Sequence, residues 1–285
     1  MQSIINQFSV AAQMADYIAD LSLSDLAPLT ISRYAACLRS YASYLGIDGA
    51  PSEYTAKSFL GQLRARGLSS RSLSIYYHAI RPFLALQGVI LKLKFKRASR
   101  LPGYTSAAQV AAVIRAVQSR SDNWQQLSHR DIAIIYTLAY TGVRRAELLS
   151  LTTRNIDLNA RTIRVIGKGD QERIIPICDH LYDVLLPYCK SIPNSTRLFP
   201  IAARRLCALI ARYAEVAAVP HLHPHNFRQF FATQLVESGV PLHAIQKLLG
   251  HRDISTTAMY LDLVPAHLQR AVDKLPNFNQ PRSML

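Results

Sequence analysis

Apolar residues recur along this chain at helical spacing, and one short region alternates instead. Ile4, Ile5, Phe8, Ala11, Ala12, Ala15 and Ile18 share one face of a helix over 3–20. A second stripe, Ile31, Tyr34, Leu38, Tyr41 and Leu45, follows Thr30 as a candidate cap and stops at Gly46. Tyr54-Thr55 opens a third run that ends at Gly67, and Ser69-Ser70 opens a fourth that ends at Gly88. Pro82 lies inside the fourth run, where it should kink the helix or break its hydrogen bonding. These runs predict a bundle of four helices over residues 1–97.

The pattern then breaks. LKLKFKRASRLPGYTSAAQ alternates Lys with apolar residues, loses that order at Ala98-Ser99, and reaches Pro102-Gly103. It reads as a linker over 98–105, with a second domain over 106–285. Ser106 caps a helix through about Ser119, Ser128 caps the apolar run DIAIIYTLAYTG, and Gly142 ends it. VRRAELLSL starts another helix, with Arg144 in its first turn and Glu147 three residues on. RTIRVIG and QERIIPI read as strands joined at Gly167-Lys168-Gly169-Asp170, a two-stranded hairpin with Lys168 at its tip. DHLYDVLLPYCK and AARRLCALIARYAEVAAV are helical again, and Pro224–Leu261 brings more helix. The fold class is mainly α with a small β-hairpin sheet.

Composition sharpens this picture. Lys and Arg total 33 against 18 Asp and Glu, a net charge of +15, and both halves of the chain are basic. Such a surplus points to a polyanion, with nucleic acid the commonest. Arg33, Arg39, Lys57, Arg64, Arg66, Arg71 and Arg81 sit among Tyr41, Tyr44, Tyr76 and Tyr77 on the first four helices. Singly each fits an ordinary solvated face with the tyrosines half in the core. As a set they fit a grip on DNA phosphates. The four cysteines form no CxxC pair, which removes zinc and redox signatures. MQSIINQFSV lacks the form of a secretory signal, and no apolar run approaches the ~20 residues of a membrane span. The expectation is a cytoplasmic protein with no membrane contact.

One stretch carries unusual chemistry. PHNFRQFFATQLVESGVPLHAIQKLLGHRDISTTAMYL offers His225, Arg228, His251 and Tyr260, a poor set for a core and a suitable one for holding and attacking a phosphate. Arg forks pair with phosphate oxygens, so Arg144 and Arg228 are a candidate clamp that Glu147 orients. Lys168 is a candidate general acid, although alone it is an exposed hairpin-tip lysine. His221, His223 and His225 alternate as metal ligands can. No carboxylate or cysteine lies close by in sequence, and Pro224 opens a helix that turns His225 away, so no metal and no cofactor is expected.

Taken together, TGVRRAEL, GKGDQERIIP, HNFRQFFAT and LLGHRDISTTAMY resemble the tyrosine recombinase (phage-type integrase) family over about residues 141–261. The helical first block resembles that family's core-binding domain by pattern only. The resemblance implies Arg144, Lys168, His225, Arg228, His251 and Tyr260 as catalytic residues, with Glu147 in support. It implies a Tyr260 nucleophile that forms a 3′-phosphotyrosine on double-stranded DNA, for integration, excision or dimer resolution. It implies a homo-tetramer on two DNA sites, a monomer or dimer when free, with an accessory DNA-binding protein as a further partner. Gln229 stands where the family often has His, so any proton-carrying role is lost there. The segment after Pro200 is short for the family. VPAHLQRAVDKL places Val264, Leu268, Ala271, Val272 and Leu275 on one face, implying a C-terminal exchange helix that docks on a neighbouring subunit or folds back on its own domain. Two other readings are a catalytically silent DNA-binding protein on this fold and a type IB topoisomerase, which relaxes DNA without choosing a site.

Overall fold

The computed structural model describes residues 10–46, 49–95, 104–119, 125–167, 170–194, 196–219 and 221–263. The chain divides into two compact units, Met1–Arg100 and Leu101–Leu285.

The first unit holds α1 (Val10–Leu21), α2 (Pro28–Leu45), α3 (Glu53–Ala65) and α4 (Ser70–Leu86). Their stripes meet in one core that includes Met14, Leu38, Tyr41, Phe59, Leu73, Ile80, Phe83 and Leu84. Two caps differ from the sequence reading. Helix α2 begins at Pro28, behind an Ala27 cap without a side-chain bond, because proline suits a first turn whose N–H has no helical partner. Ser52 caps α3: it accepts from the Thr55 N–H, and Thr55 reciprocates on the Ser52 N–H. Helix α4 runs on through Pro82 as a single helix. The seven basic side chains named above are all exposed. Tyr41 and Tyr77 are buried, and the Tyr41 and Tyr44 hydroxyls bond Thr55 and Ser58, so these aromatics serve the core.

The second unit contains α5 (Ala107–Gln118), α6 (Gln125–Thr141), α7 (Arg145–Ser150), β1 (Ile156–Asp157), β2 (Thr162–Ile166), β3 (Glu172–Pro176), α8 (Asp179–Lys190), α9 (Ala203–Val216), α10 (Pro224–Glu237), α11 (Leu242–Leu249) and α12 (Ser255–Ala258). Its main core gathers Val113, Ile134, Leu138, Leu148, Ile163, Leu181, Leu206 and Phe227. A satellite cluster, Ala232, Val236, Ile245, Leu249 and Tyr260, joins α10, α11 and the turn after α12. Ser128 falls inside α6, which starts earlier than its expected cap. The sheet is antiparallel in the order β1-β2-β3, so a third short strand joins the expected hairpin. Of the expected linker, Tyr104 and Thr105 are described; Tyr104 bonds Glu237 of the second unit, and Thr105 is buried. Lys168 and the C-terminal segment from Val264 lie outside the described residues. Among the described residues no helix is long and apolar enough to cross a membrane.

Candidate active site

The site is built around the C-terminal end of α11. A helix end leaves its last carbonyls unpaired and carries partial negative charge, so it attracts cations. Three arginines from three other elements meet it. The Arg173 Nε donates to the Leu248 carbonyl at 2.8 Å. Arg228 Nη2 donates to the Leu249 carbonyl at 2.6 Å, and Arg144 Nη2 to that of Gly250 at 3.1 Å. Gly250 takes the left-handed conformation with φ 64°, which closes the helix and turns the chain into His251.

Each arginine is placed by its own element. Gly142 ends α6 at φ 59°, and its carbonyl accepts from Arg228 Nη1 at 2.8 Å. The chain then reaches Arg144, which occupies the cap position just before α7. The Arg144 N–H donates to Glu147 Oε2 at 2.7 Å, and its Nη1 to Glu147 Oε1 at 2.8 Å. Arg228 lies in α10 with its side chain buried. Arg173 comes from β3, where it pairs with the buried Val165 and shares a face with Ile175.

Glu147 is the only carboxylate that bonds these guanidiniums among the described residues, and it is itself buried. Arg173 grips both its oxygens, at 2.9 and 2.8 Å. Burial alone would raise the Glu147 pKa. Hydrogen bonds from the Arg173 side chain, the Arg144 backbone and the Arg144 guanidinium outweigh burial and hold the carboxyl at about 2. Three cations against one anion leave surplus positive charge at the site. Arg144 is the most open of the three, with 42% of its side chain exposed against 9% for Arg173. It borders a cleft of about 1030 Å³, together with Gly167, Arg173, Gly250 and His251.

The remaining groups converge on the same arginines. His225, in the first turn of α10, has its pKa lowered by lost hydration and by Arg228 and Arg144. His251 is pushed down to about 4, first by burial and then by Arg228, Arg144 and Arg173. Both imidazoles are therefore neutral at pH 7. The His251 and Tyr260 rings lie nearly parallel, with centroids 6.4 Å apart. Burial raises the Tyr260 pKa, while Arg228 and Arg144 oppose that rise. The phenol is thus protonated at neutral pH and needs a base to become a nucleophile. Burial lowers Arg228 to about 10, which still leaves it charged.

The structure thus gathers Arg144, Glu147, His225, Arg228, His251 and Tyr260. Lys168 lies outside the described residues. Gly167 N–H bonds the Gln171 carbonyl at 2.8 Å, and a Cβ on Gly167 would stand 3.5 Å from Glu147 Oε1, so the hairpin turn begins beside the site. Gln229 is buried, and its amide oxygen accepts from Asn226 at 3.4 Å. Among the described residues no group of three or more His, Cys, Asp or Glu is placed to hold a metal.

Two residues escaped the sequence reading, Arg173 and Thr257. Strand alternation held a signal for Arg173, because it falls on the face of the apolar Ile175 and needs a buried partner there. Thr257, whose hydroxyl lies 2.8 Å from His251 Nδ1, gave no comparable signal, since only the fold brings the two together.

A mainly helical unit with a small sheet, whose arginines, histidines and tyrosine meet at one helix end, is an arrangement with counterparts among known proteins. One neighbour in fold is the XerH site-specific recombinase, in a structure bound to a palindromic difH substrate. Its TM-score is 0.74 at 20% identity, covering 93% of this chain and 84% of that one. Another is a lambda integrase (75–356) dimer bound to a COC′ core site, with TM-score 0.71 at 14% identity, covering 97% of this chain and 100% of that one. The Tyrosine recombinase XerA of Thermococcus kodakarensis is 31% identical over 265 residues, covering 89% of this chain and 92% of that protein. The Tyrosine recombinase XerC of Pelobacter propionicus is 32% identical over 275 residues, covering 88% of this chain and 90% of that protein. The model of the Phage integrase family matches residues 104–267. The chain belongs to the phage integrase family of tyrosine recombinases, and its activity is site-specific recombination.

Proposed function

We propose that this chain cleaves and rejoins double-stranded DNA through a covalent bond between Tyr260 and a 3′-phosphate. The observation that carries the proposal is the meeting of Arg144, Arg228, His251 and Tyr260 around the end of α11. A scissile phosphodiester enters beside Arg144, whose guanidinium remains partly exposed. Arg144 and Arg228 hold the two non-bridging oxygens, where charge builds as phosphorus becomes five-coordinate. His251 donates a further hydrogen bond as a neutral imidazole. His225, also neutral, accepts the phenol proton as the Tyr260 oxygen bonds to phosphorus. The bond to the 5′ oxygen breaks, and Lys168 supplies its proton. The ester conserves the energy of the broken bond, so a 5′-hydroxyl from another strand reverses the step without ATP.

The exposed basic side chains of α2, α3 and α4 act in this reading as a DNA grip. The XerH and lambda integrase structures, each bound to its DNA site, support the same partner here. Exchange of both strand pairs requires four active sites, so the working assembly is a homo-tetramer on two DNA sites, formed in the cytoplasm.

The test is covalent trapping on a nicked substrate that carries DNA flanking the gene, followed by a denaturing gel. Wild type should give a protein–DNA band and Tyr260→Phe none. No band from wild type, on DNA it demonstrably binds, favours a silent DNA-binding protein. Relaxation of supercoiled plasmids of any sequence favours a topoisomerase.

A further inference from the structure

Thr257 is fully buried in α12, and its hydroxyl lies 2.8 Å from Nδ1 of His251. A neutral imidazole carries one proton, on either nitrogen, and a hydrogen bond to one nitrogen decides which. If Nδ1 carried the proton it would donate to Thr257, and the hydroxyl proton would need another acceptor inside the protein. The one described partner of that hydroxyl is His251. If the hydroxyl donates instead, both groups are satisfied and the ring proton sits on Nε2. The low His251 pKa, about 4, keeps the ring neutral at pH 7, so the choice of tautomer matters there. Thr257 has a second link to the site, since its backbone carbonyl accepts from the Tyr260 N–H at 3.0 Å. The same residue therefore touches the ring through its side chain and the tyrosine turn through its backbone.

We propose that Thr257 is a positioning residue that fixes His251 as the Nε2–H tautomer and ties that ring to the turn carrying Tyr260. His251 then offers a donor, and no lone pair, from its free nitrogen, as an anionic phosphate oxygen requires. Thr256, its neighbour in sequence, is exposed and borders the cleft, so the buried hydroxyl of Thr257 is the one that serves the ring.

This inference rests on the function proposed above for its catalytic consequence, and its test separates the two. Two-bond ¹H–¹⁵N NMR of the free full-length protein at pH 7, with His251→Ala to assign the ring, reads the tautomer without any reaction. The expected result is a bare Nδ1 and a protonated Nε2; a protonated Nδ1 overturns the proposal, whatever the protein does to DNA. In single-turnover cleavage of the nicked substrate at saturating DNA, Thr257→Val should slow the chemical step by about 10- to 100-fold with unchanged DNA affinity, the size of effect expected when a reacting group loses its alignment. Thr257→Ser, which keeps the hydroxyl, should restore most of the rate. Wild-type cleavage by Thr257→Val, or a Thr257→Ser variant as slow as the valine one, also overturns it. A Thr257→Val protein that fails to fold leaves the decision to the wild-type tautomer. Absence of cleavage by wild type itself would refute the proposed function while the tautomer measurement still decides this one.

Discussion

Glu147→Gln replaces one oxygen of the buried carboxylate with an NH₂ donor and removes its charge. In the wild type that carboxylate accepts from both Arg173 nitrogens, from the Arg144 guanidinium and from the Arg144 backbone. Its pKa falls from 4.5 to about 2 on folding. At about 1.36 kcal/mol per unit, that difference is worth roughly 3 kcal/mol at pH 7. The figure agrees with the ~3–5 kcal/mol expected when one partner of a buried ion pair is removed and the other is left uncompensated. The sign follows from the direction of the shift. A depressed carboxyl pKa stabilises fully above the unfolded value, and that stability drains away as pH falls from 4.5 through about 2. At pH 3 the same arithmetic leaves less than half of that. Thermal melts of wild type and Glu147→Gln should therefore differ by about 6–12 °C at pH 7 and by about half that at pH 3, for a unit of this size. Two results would refute the reasoning: equal melting temperatures at pH 7, or a gap that does not shrink on acidification. The second would mean that the glutamine acts through shape and not through lost charge.

Two further outcomes can be measured, one from the packing at Gly142 and one from the proposed role of Lys168. Gly142→Ala puts a Cβ 2.6 Å from the Phe231 ring at a backbone φ of +59°, so it should cost about 1–3 kcal/mol, and a wild-type melting temperature would contradict this. Lys168→Ala should slow cleavage of ordinary DNA by about 10²–10⁴-fold yet cleave a substrate with sulfur in place of the 5′ bridging oxygen at near wild-type rate, because a thiolate departs without a proton; slow cleavage of both substrates would remove the general-acid role.

The chain by itself determined its class and named most of the side chains that meet at the candidate site. Helical periodicity, glycine stops and one alternating stretch defined the mainly helical architecture with its small sheet, because those signals are local. The spacing of Arg144, His225, Arg228, His251 and Tyr260 carried the family resemblance for a similar reason: each sits at a fixed offset from an element end, at Gly142, Pro224 or Gly250. Caps were less legible. Ala27, Ser52 and the start of α6 depend on which of several nearby polar or proline residues the folded backbone uses.

Only the tertiary structure decided how the site is held. Arg173 stands 26 residues after Glu147 in sequence, yet it is the stronger of that carboxylate's two arginine partners. Nothing along the chain says that the Leu248, Leu249 and Gly250 carbonyls are where three guanidiniums converge. Nor does it say that Thr257 turns its hydroxyl to His251, in place of its exposed neighbour Thr256. These relations are distances between elements far apart in sequence. They arise because burying the apolar faces of α10 and α11 brings one helix end, with its unpaired carbonyls, against Arg144, Arg173 and Arg228.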